Sequence, residues 1–229
     1  MITMSRVNRE KPSGVATAKF YHEDSRLVSD AVTELAVKVV SFKKKFGRKI
    51  VLLTGCNASC GTTRTAINLA IALSSSGNKT LLIDTDIRKG STLYNGLSDY
   101  FHKIIGVDDV IRETNIPNMD FAPSGLRSDR SALLLSSDNM TNFMHFARKK
   151  YDYVIIDCPS IDVSTDASAM FSNTDGIILI CSLDKTTKRQ IINARNTIEP
   201  YADRYYGMVV HSMEERRYKR HLRRRQWRV

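Results

Sequence analysis

Four stretches of this chain are apolar without interruption: Lys49-Ile-Val-Leu-Leu-Thr54, Thr80-Leu-Leu-Ile-Asp84, Tyr153-Val-Ile-Ile-Asp157 and Gly176-Ile-Ile-Leu-Ile-Cys181. They are strand-sized, and they lack the polar-apolar alternation of a strand with one wet face. Runs of this kind belong to strands covered on both faces, which occur in mostly parallel sheets. Between them the apolar residues recur at helical spacing. Val28, Val32, Leu35, Val39 and Phe42 mark a helix from Leu27 to Lys45, closed by three lysines and Gly47. Thr63 to Ser76, Thr141 to Lys150 and Thr186 to Glu199 read as further helices, Met119 to Ala122 as a weaker strand and Tyr206 to Val210 as a last one. The predicted class is α/β, a mostly parallel central sheet with helices on both faces. Residues 1–20 read as a flexible arm, 21–212 as a single domain and 213–229 as a basic tail.

In such a sheet, ligands bind beyond the carboxyl ends of the strands. The residues there are Asp84 and Asp86 after one strand, Asp157 after another, and a loop after the first, Thr54-Gly-Cys-Asn-Ala-Ser-Cys-Gly61-Thr62-Thr63-Arg64-Thr65. Each aspartate alone could merely cap a turn. Two strand ends that carry acids beside a loop-helix junction point instead to a hydrated Mg²⁺, which takes one or two carboxylates, waters and phosphate oxygens. A phosphate-binding loop reads G-x-x-x-x-G-K-[ST], with backbone N–H groups around the phosphates, a lysine on the β- and γ-phosphates and a hydroxyl on Mg²⁺. Ser59, Cys60, Gly61, Thr62, Thr63 and Arg64 are therefore the candidate phosphate-facing residues, and the fold is expected to be P-loop NTPase-like. Thr62 stands where lysine belongs, and Gly55 is one residue earlier than the expected first glycine. Arg64 either faces solvent or swings back to a phosphate.

The remaining composition narrows the field. No apolar run is long enough to span a bilayer, and the polar, basic N-terminus lacks the apolar core of a secretory signal. Cys56, Cys60, Cys158 and Cys181 have no metal-ligand spacing, so no structural metal is expected. Reduced thiols suit a cytoplasmic protein. The net charge of +11 is concentrated in the last residues. The Arg216–Arg228 segment, with Tyr218, Leu222 and Trp227, reads as a solvated tail, as an anchor on the anionic inner face of the cell membrane, or as a less expected nucleic-acid contact.

Asn68-Leu-Ala70, Leu-Leu-Ile-Asp84-x-Asp86-x-Arg88 and Ile-Ile-Asp157-x-Pro159 together resemble the bacterial tyrosine kinases of capsular and exopolysaccharide synthesis. Gly96-Leu-Ser-Asp99, Ile116 to Gly125, Leu133 to Ser137, Thr165-Asp166-Ala and Lys185-Thr-Thr follow in the family's order. The resemblance implies ATP-dependent autophosphorylation on tyrosine, Mg-ATP and ADP as ligands, ring-shaped homo-oligomers and a membrane-spanning adaptor of the polysaccharide chain-length-regulator type. It assigns Asp84 as metal ligand and candidate base, Asp86 as the second acid, Asp157 as outer-shell metal residue and Thr63 as the Mg²⁺ hydroxyl. It places His211 near the adenine, where the family usually has asparagine.

Four departures accompany the likeness. Ala58, Ser59 and Thr62 replace the family's Pro, Gly and Lys. The first helix lacks two arginines that the family uses for ring contacts. His211 replaces Asn, and the tail has no tyrosine cluster. The expected consequence is a catalytically impaired regulatory or adaptor subunit. The alternatives are an active kinase with an atypical loop and a partitioning-type ATPase. The latter group carries an extra lysine near the start of the loop, and no lysine occurs between Leu52 and Ile67.

Overall fold

The computed structural model describes residues 16–19, 26–91 and 95–212. The expected arm over 1–15 and the whole basic tail, with Arg216–Arg228, lie outside the described residues. Seven strands form one sheet: β1 (Ile50–Gly55), β2 (Thr80–Asp84), β3 (Arg112–Glu113), β4 (Met119–Ala122), β5 (Tyr153–Cys158), β6 (Gly176–Ser182) and β7 (Tyr205–His211). Their order is β3-β4-β2-β5-β1-β6-β7, and every pairing is parallel except β3 with β4. The parallel sheet and both covered faces agree with the continuous apolar runs: Val51, Leu52 and Leu53 of β1 have no exposed surface. Full burial of such a side chain stabilises the fold by about 1.5–3 kcal/mol.

One face packs under α1 (Arg26–Phe46) and α2 (Thr62–Ser75), through Val39, Ala66, Leu69, Ala70 and Leu73. The other packs under α3 (Leu97–Phe101), α5 (Asp138–Lys150), α6 (Asp166–Met170) and α7 (Lys188–Ile198), through Phe101, Phe143, Met170, Phe171 and Ile198. A short α4 (Ser131–Leu135) precedes α5. Helix α5 begins three residues before the apolar periodicity does, because the Ser137 hydroxyl caps it by accepting from the Met140 N–H. Helix α7 opens on a reciprocal box between Thr187 and Gln190.

At the β7 edge, Tyr206 stacks on Phe42 of α1 with ring centroids 3.9 Å apart. Gly176 lies directly beneath that ring, where a Cβ would come within 2.4 Å of it. At the other edge, residues 16–19, which the sequence placed in the arm, are held beside β3: the Ala16 N–H donates to the Glu113 carbonyl at 3.0 Å, and Ala16 is buried. At the amino ends of β1 and β6, Asp175 accepts from the Lys49 and Ile50 N–H groups and from Arg148.

Candidate nucleotide site

Strand β1 delivers the loop from Gly55 to Gly61 onto the N-terminus of α2. Two backbone bonds fix where the loop leaves the sheet: the Cys56 N–H donates to the Ile180 carbonyl and the Ile161 N–H to the Gly55 carbonyl. Gly55, out of place for the phosphate-loop spacing, has its own reason: a Cβ there would lie 2.5 Å from the Cys60 sulfur and 2.9 Å from the Asn57 carbonyl. Ser59 is left-handed, with φ of 59°, so the loop keeps a backbone turn that suits glycine although the side chain has changed. Gly61 is also left-handed, φ 97°, and forms the N-cap of α2. Its carbonyl accepts from both the N–H and the hydroxyl of Thr65, at 3.0 Å each.

A cleft of about 550 Å³ opens over this junction. Ala58, Ser59, Cys60, Gly61, Thr62, Thr63 and Arg64 line it from the loop and α2; Asp86, Asp157, Cys158, Pro159, Ser160, Val163 and Lys185 complete the lining. Every residue from 59 to 64 that the sequence placed at the phosphates therefore faces one cavity. Thr62 contributes a hydroxyl 3.5 Å from the Cys60 sulfur, and no charge. Thr63 hydrogen-bonds the Asp157 carboxylate, which brings together the two groups assigned to a metal.

Asp84 and Asp157 are paired in the register of β2 and β5. Burial, then the Asp84 and Asp86 carboxylates, push the Asp157 carboxyl up to about 7, against the opposing Thr63 bond. Burial also raises Asp84, while bonds from the Asp86 N–H at 2.9 Å and the Ser124 hydroxyl at 3.2 Å draw it back. Asp84 sits behind the cleft wall rather than on it, and Asp86 stands in front, its carboxylate accepting from the Lys89 N–H. Raised, mutually repelling carboxylates beside a hydroxyl are an all-oxygen donor set that suits Mg²⁺. Among the described residues no three acidic, His or Cys side chains form a closed cage, so such an ion would complete its shell with water and phosphate oxygens. The donor set fits the metal; the loop offers phosphate its backbone N–H groups but no cation at position 62.

His211 ends β7 opposite Ser182, on the edge strand. Arg88 turns away from the cleft: its Nε lies 3.1 Å from the Ser131 hydroxyl and 3.4 Å from a carboxylate oxygen of the fully buried Asp166. It braces α4 and α6 beneath the acidic strand end. Sequence reasoning missed two features, Lys185 on the cleft wall and a hydrogen bond from the Thr186 hydroxyl to Asn57 of the loop. The Lys185-Thr-Thr segment was visible only as part of the family likeness.

Fold and site together define a P-loop NTPase-like protein. The AAA domain family matches residues 48–204. Tyrosine-protein kinase YwqD of Bacillus subtilis is 31% identical over 169 residues, covering 71% of each chain. Tyrosine-protein kinase CpsD of Streptococcus pneumoniae serotype 4 is 30% identical over 174 residues, 72% of this chain and 77% of that one. The kinase domain of Escherichia coli tyrosine kinase ETK superposes with a TM-score of 0.80 at 21% identity, covering 93% of this chain and 86% of that one. The septum site-determining protein MinD from Pyrococcus horikoshii, complexed with Mg-ADP, shares the fold more distantly, with a TM-score of 0.58 at 18% identity over 71% and 69% of the two chains. The chain belongs to the bacterial tyrosine kinase family of capsular and exopolysaccharide biosynthesis. No described helix is long and apolar enough to cross a membrane.

Proposed function

We propose that this chain is a catalytically impaired member of its family, a regulatory or adaptor subunit with weak affinity for Mg-ATP and Mg-ADP. The observation that carries this reading is Thr62, an uncharged side chain at the first turn of α2, in a cleft whose lining includes the Asp86 and Asp157 carboxylates. A charge-assisted hydrogen bond contributes about 1.5–3 kcal/mol net. A missing donor to transition-state charge slows transfer by about 10²–10³-fold. The Ser59 and Ala58 replacements in the same loop add to the deficit. In this reading the protein works in the cytoplasm, as a homo-oligomer and with a membrane-spanning chain-length-regulator-type adaptor as its partner. The Arg216–Arg228 tail supplies contact with the inner, anionic face of the membrane.

The test is incubation of the purified protein with Mg-ATP, alone and with the adaptor's cytoplasmic segment, followed by phosphotyrosine detection. No signal is expected from the wild type, and calorimetry is expected to give at least a tenfold affinity gain in Thr62→Lys, about the effect of one charged contact. Robust wild-type autophosphorylation overturns the proposal. It would favour the second reading, an active tyrosine kinase with an atypical loop, whose support is the assembled set of Thr63, Asp84, Asp86 and Asp157. A partitioning-type ATPase has less support, because the loop lacks that group's additional lysine.

A further inference from the structure

We infer that Lys185 takes over the phosphate-neutralising role vacated at position 62, reaching the bound polyphosphate from the opposite wall of the cleft. The inference rests on the reading of this cleft as a nucleotide pocket. Lys185 belongs to the connection between β6 and α7, far along the chain from the loop at 55–61, yet both line the same cavity. It forms no ion pair with any described residue, and its side chain is exposed. No carboxylate therefore has to be displaced before it meets an anion. Lys89, by contrast, does not line the cleft, and its charge falls on Asp84 and Asp157.

The position of Lys185 is built rather than incidental. The Lys185 and Thr186 N–H groups both donate to the Ser182 carbonyl, at 3.3 and 2.9 Å, folding the connection into a tight turn at the end of β6. The Thr186 hydroxyl accepts from the Ser182 N–H at 2.7 Å and donates to the Asn57 side-chain carbonyl. The residue next to Lys185 is thus tied to the phosphate loop itself, which anchors the Lys185 backbone beside the cleft that Thr62 and Thr63 also line. A lysine on a flexible stem acts as a point charge and needs no fixed fork geometry. It can therefore serve the β- or γ-phosphate from a second loop. Its approach differs from that of a lysine in the first turn of α2: it neutralises bound phosphate without being placed by the helix along the line of transfer. That predicts retained binding with poor turnover.

The experiment is calorimetric titration of the full chain with Mg-ADP and Mg-ATP. The proteins are the wild type, Lys185→Gln, Lys185→Arg, Thr62→Lys and the Thr62→Lys/Lys185→Gln double variant. Lys185→Gln is expected to lose at least about tenfold in affinity, and Lys185→Arg to keep most of it. In the Thr62→Lys background the Lys185→Gln loss should shrink severalfold, because the restored lysine shares the same phosphates. Ligand-free melting of Lys185→Gln should match the wild type. The inference is overturned if Lys185→Gln binds like the wild type, if its loss is undiminished beside Thr62→Lys, or if the wild type shows no binding at millimolar nucleotide. That last result would leave the impaired-kinase reading standing. Wild-type autophosphorylation that depends on Lys185 would do the reverse, sinking impairment and keeping the lysine.

Discussion

Replacing Asp157 with asparagine should make the protein more stable at pH 8 and leave its stability nearly unchanged at pH 4. Burial beside Asp84 and Asp86 lifts the Asp157 carboxyl from 3.8 to about 7 in the folded chain. In the unfolded chain the group ionises near its ordinary value. Between that value and about 7 the unfolded state has lost a proton that the folded state keeps, so stability falls as pH rises through this window and levels off above it. The shift is about three units, each worth about 1.36 kcal/mol, giving an upper value near 4 kcal/mol. Local relaxation and water entry lower it, so the expected gain for Asp157→Asn at pH 8 is about 2–4 kcal/mol. Asparagine keeps an acceptor for Thr63 and offers its amide to Asp84. Urea denaturation followed by far-ultraviolet circular dichroism, in chelator, at pH 4, 6 and 8 measures this. An equal gain at all three pH values, or a loss at pH 8, would refute the electrostatic account. Magnesium should narrow the gap at pH 8, since an ion held by the wild-type carboxylate stabilises only that form.

Three further outcomes are expected. Ser59→Gly removes a left-handed strain of about 1–2 kcal/mol and returns about 0.5–1 kcal/mol through unfolded-chain entropy. The net gain of up to about 1 kcal/mol is read in the same urea titration. Gly176→Ala drives a methyl into the Tyr206 ring that stacks on Phe42, costing about 1–3 kcal/mol and loosening α1, seen as faster amide exchange along that helix. Burial pushes Asp175 up, but the Arg148 bond and the Ile50 and Lys49 N–H groups outweigh it and hold the carboxyl below its usual value. Its stabilisation is present above the ordinary aspartate range and lost as pH falls through the depressed value. Asp175→Asn should therefore cost about 1–3 kcal/mol at pH 7 and almost nothing in strong acid.

The parts of this molecule legible in its sequence are those whose physics is local. Continuous apolar runs gave β1, β2, β5 and β6 within a residue of their observed ends, because strands buried on both faces leave no polar position to confuse the pattern. The acids at the ends of β2 and β5 could be placed in one crevice because parallel strands present the same end to the same side. The short helices α3, α4 and α6 and the two-residue β3 were missed, since each is too brief to complete a period. The Arg88 contacts with Ser131 and Asp166, and the tie between Asn57 and Thr186, join residues far apart in the chain. Spacing rules carry no information about such pairs. Ser59 also hid its left-handed turn, which only a glycine would have announced.

All four cysteines are buried and carry free thiols: Cys56 and Cys60 in the phosphate loop, Cys158 at the end of β5 and Cys181 in β6. Burial lifts the Cys56 thiol to about 12 and raises Cys158 and Cys181 as well. Since the thiolate is the nucleophile, alkylating reagents meet almost none of it at Cys56, Cys158 and Cys181 while the sheet stays closed. Maleimide uptake is therefore a clock for opening of the strand ends, and it needs no engineered label. A nucleotide that holds the cleft shut will slow that clock, which gives a readout of occupancy even where no phosphate is transferred.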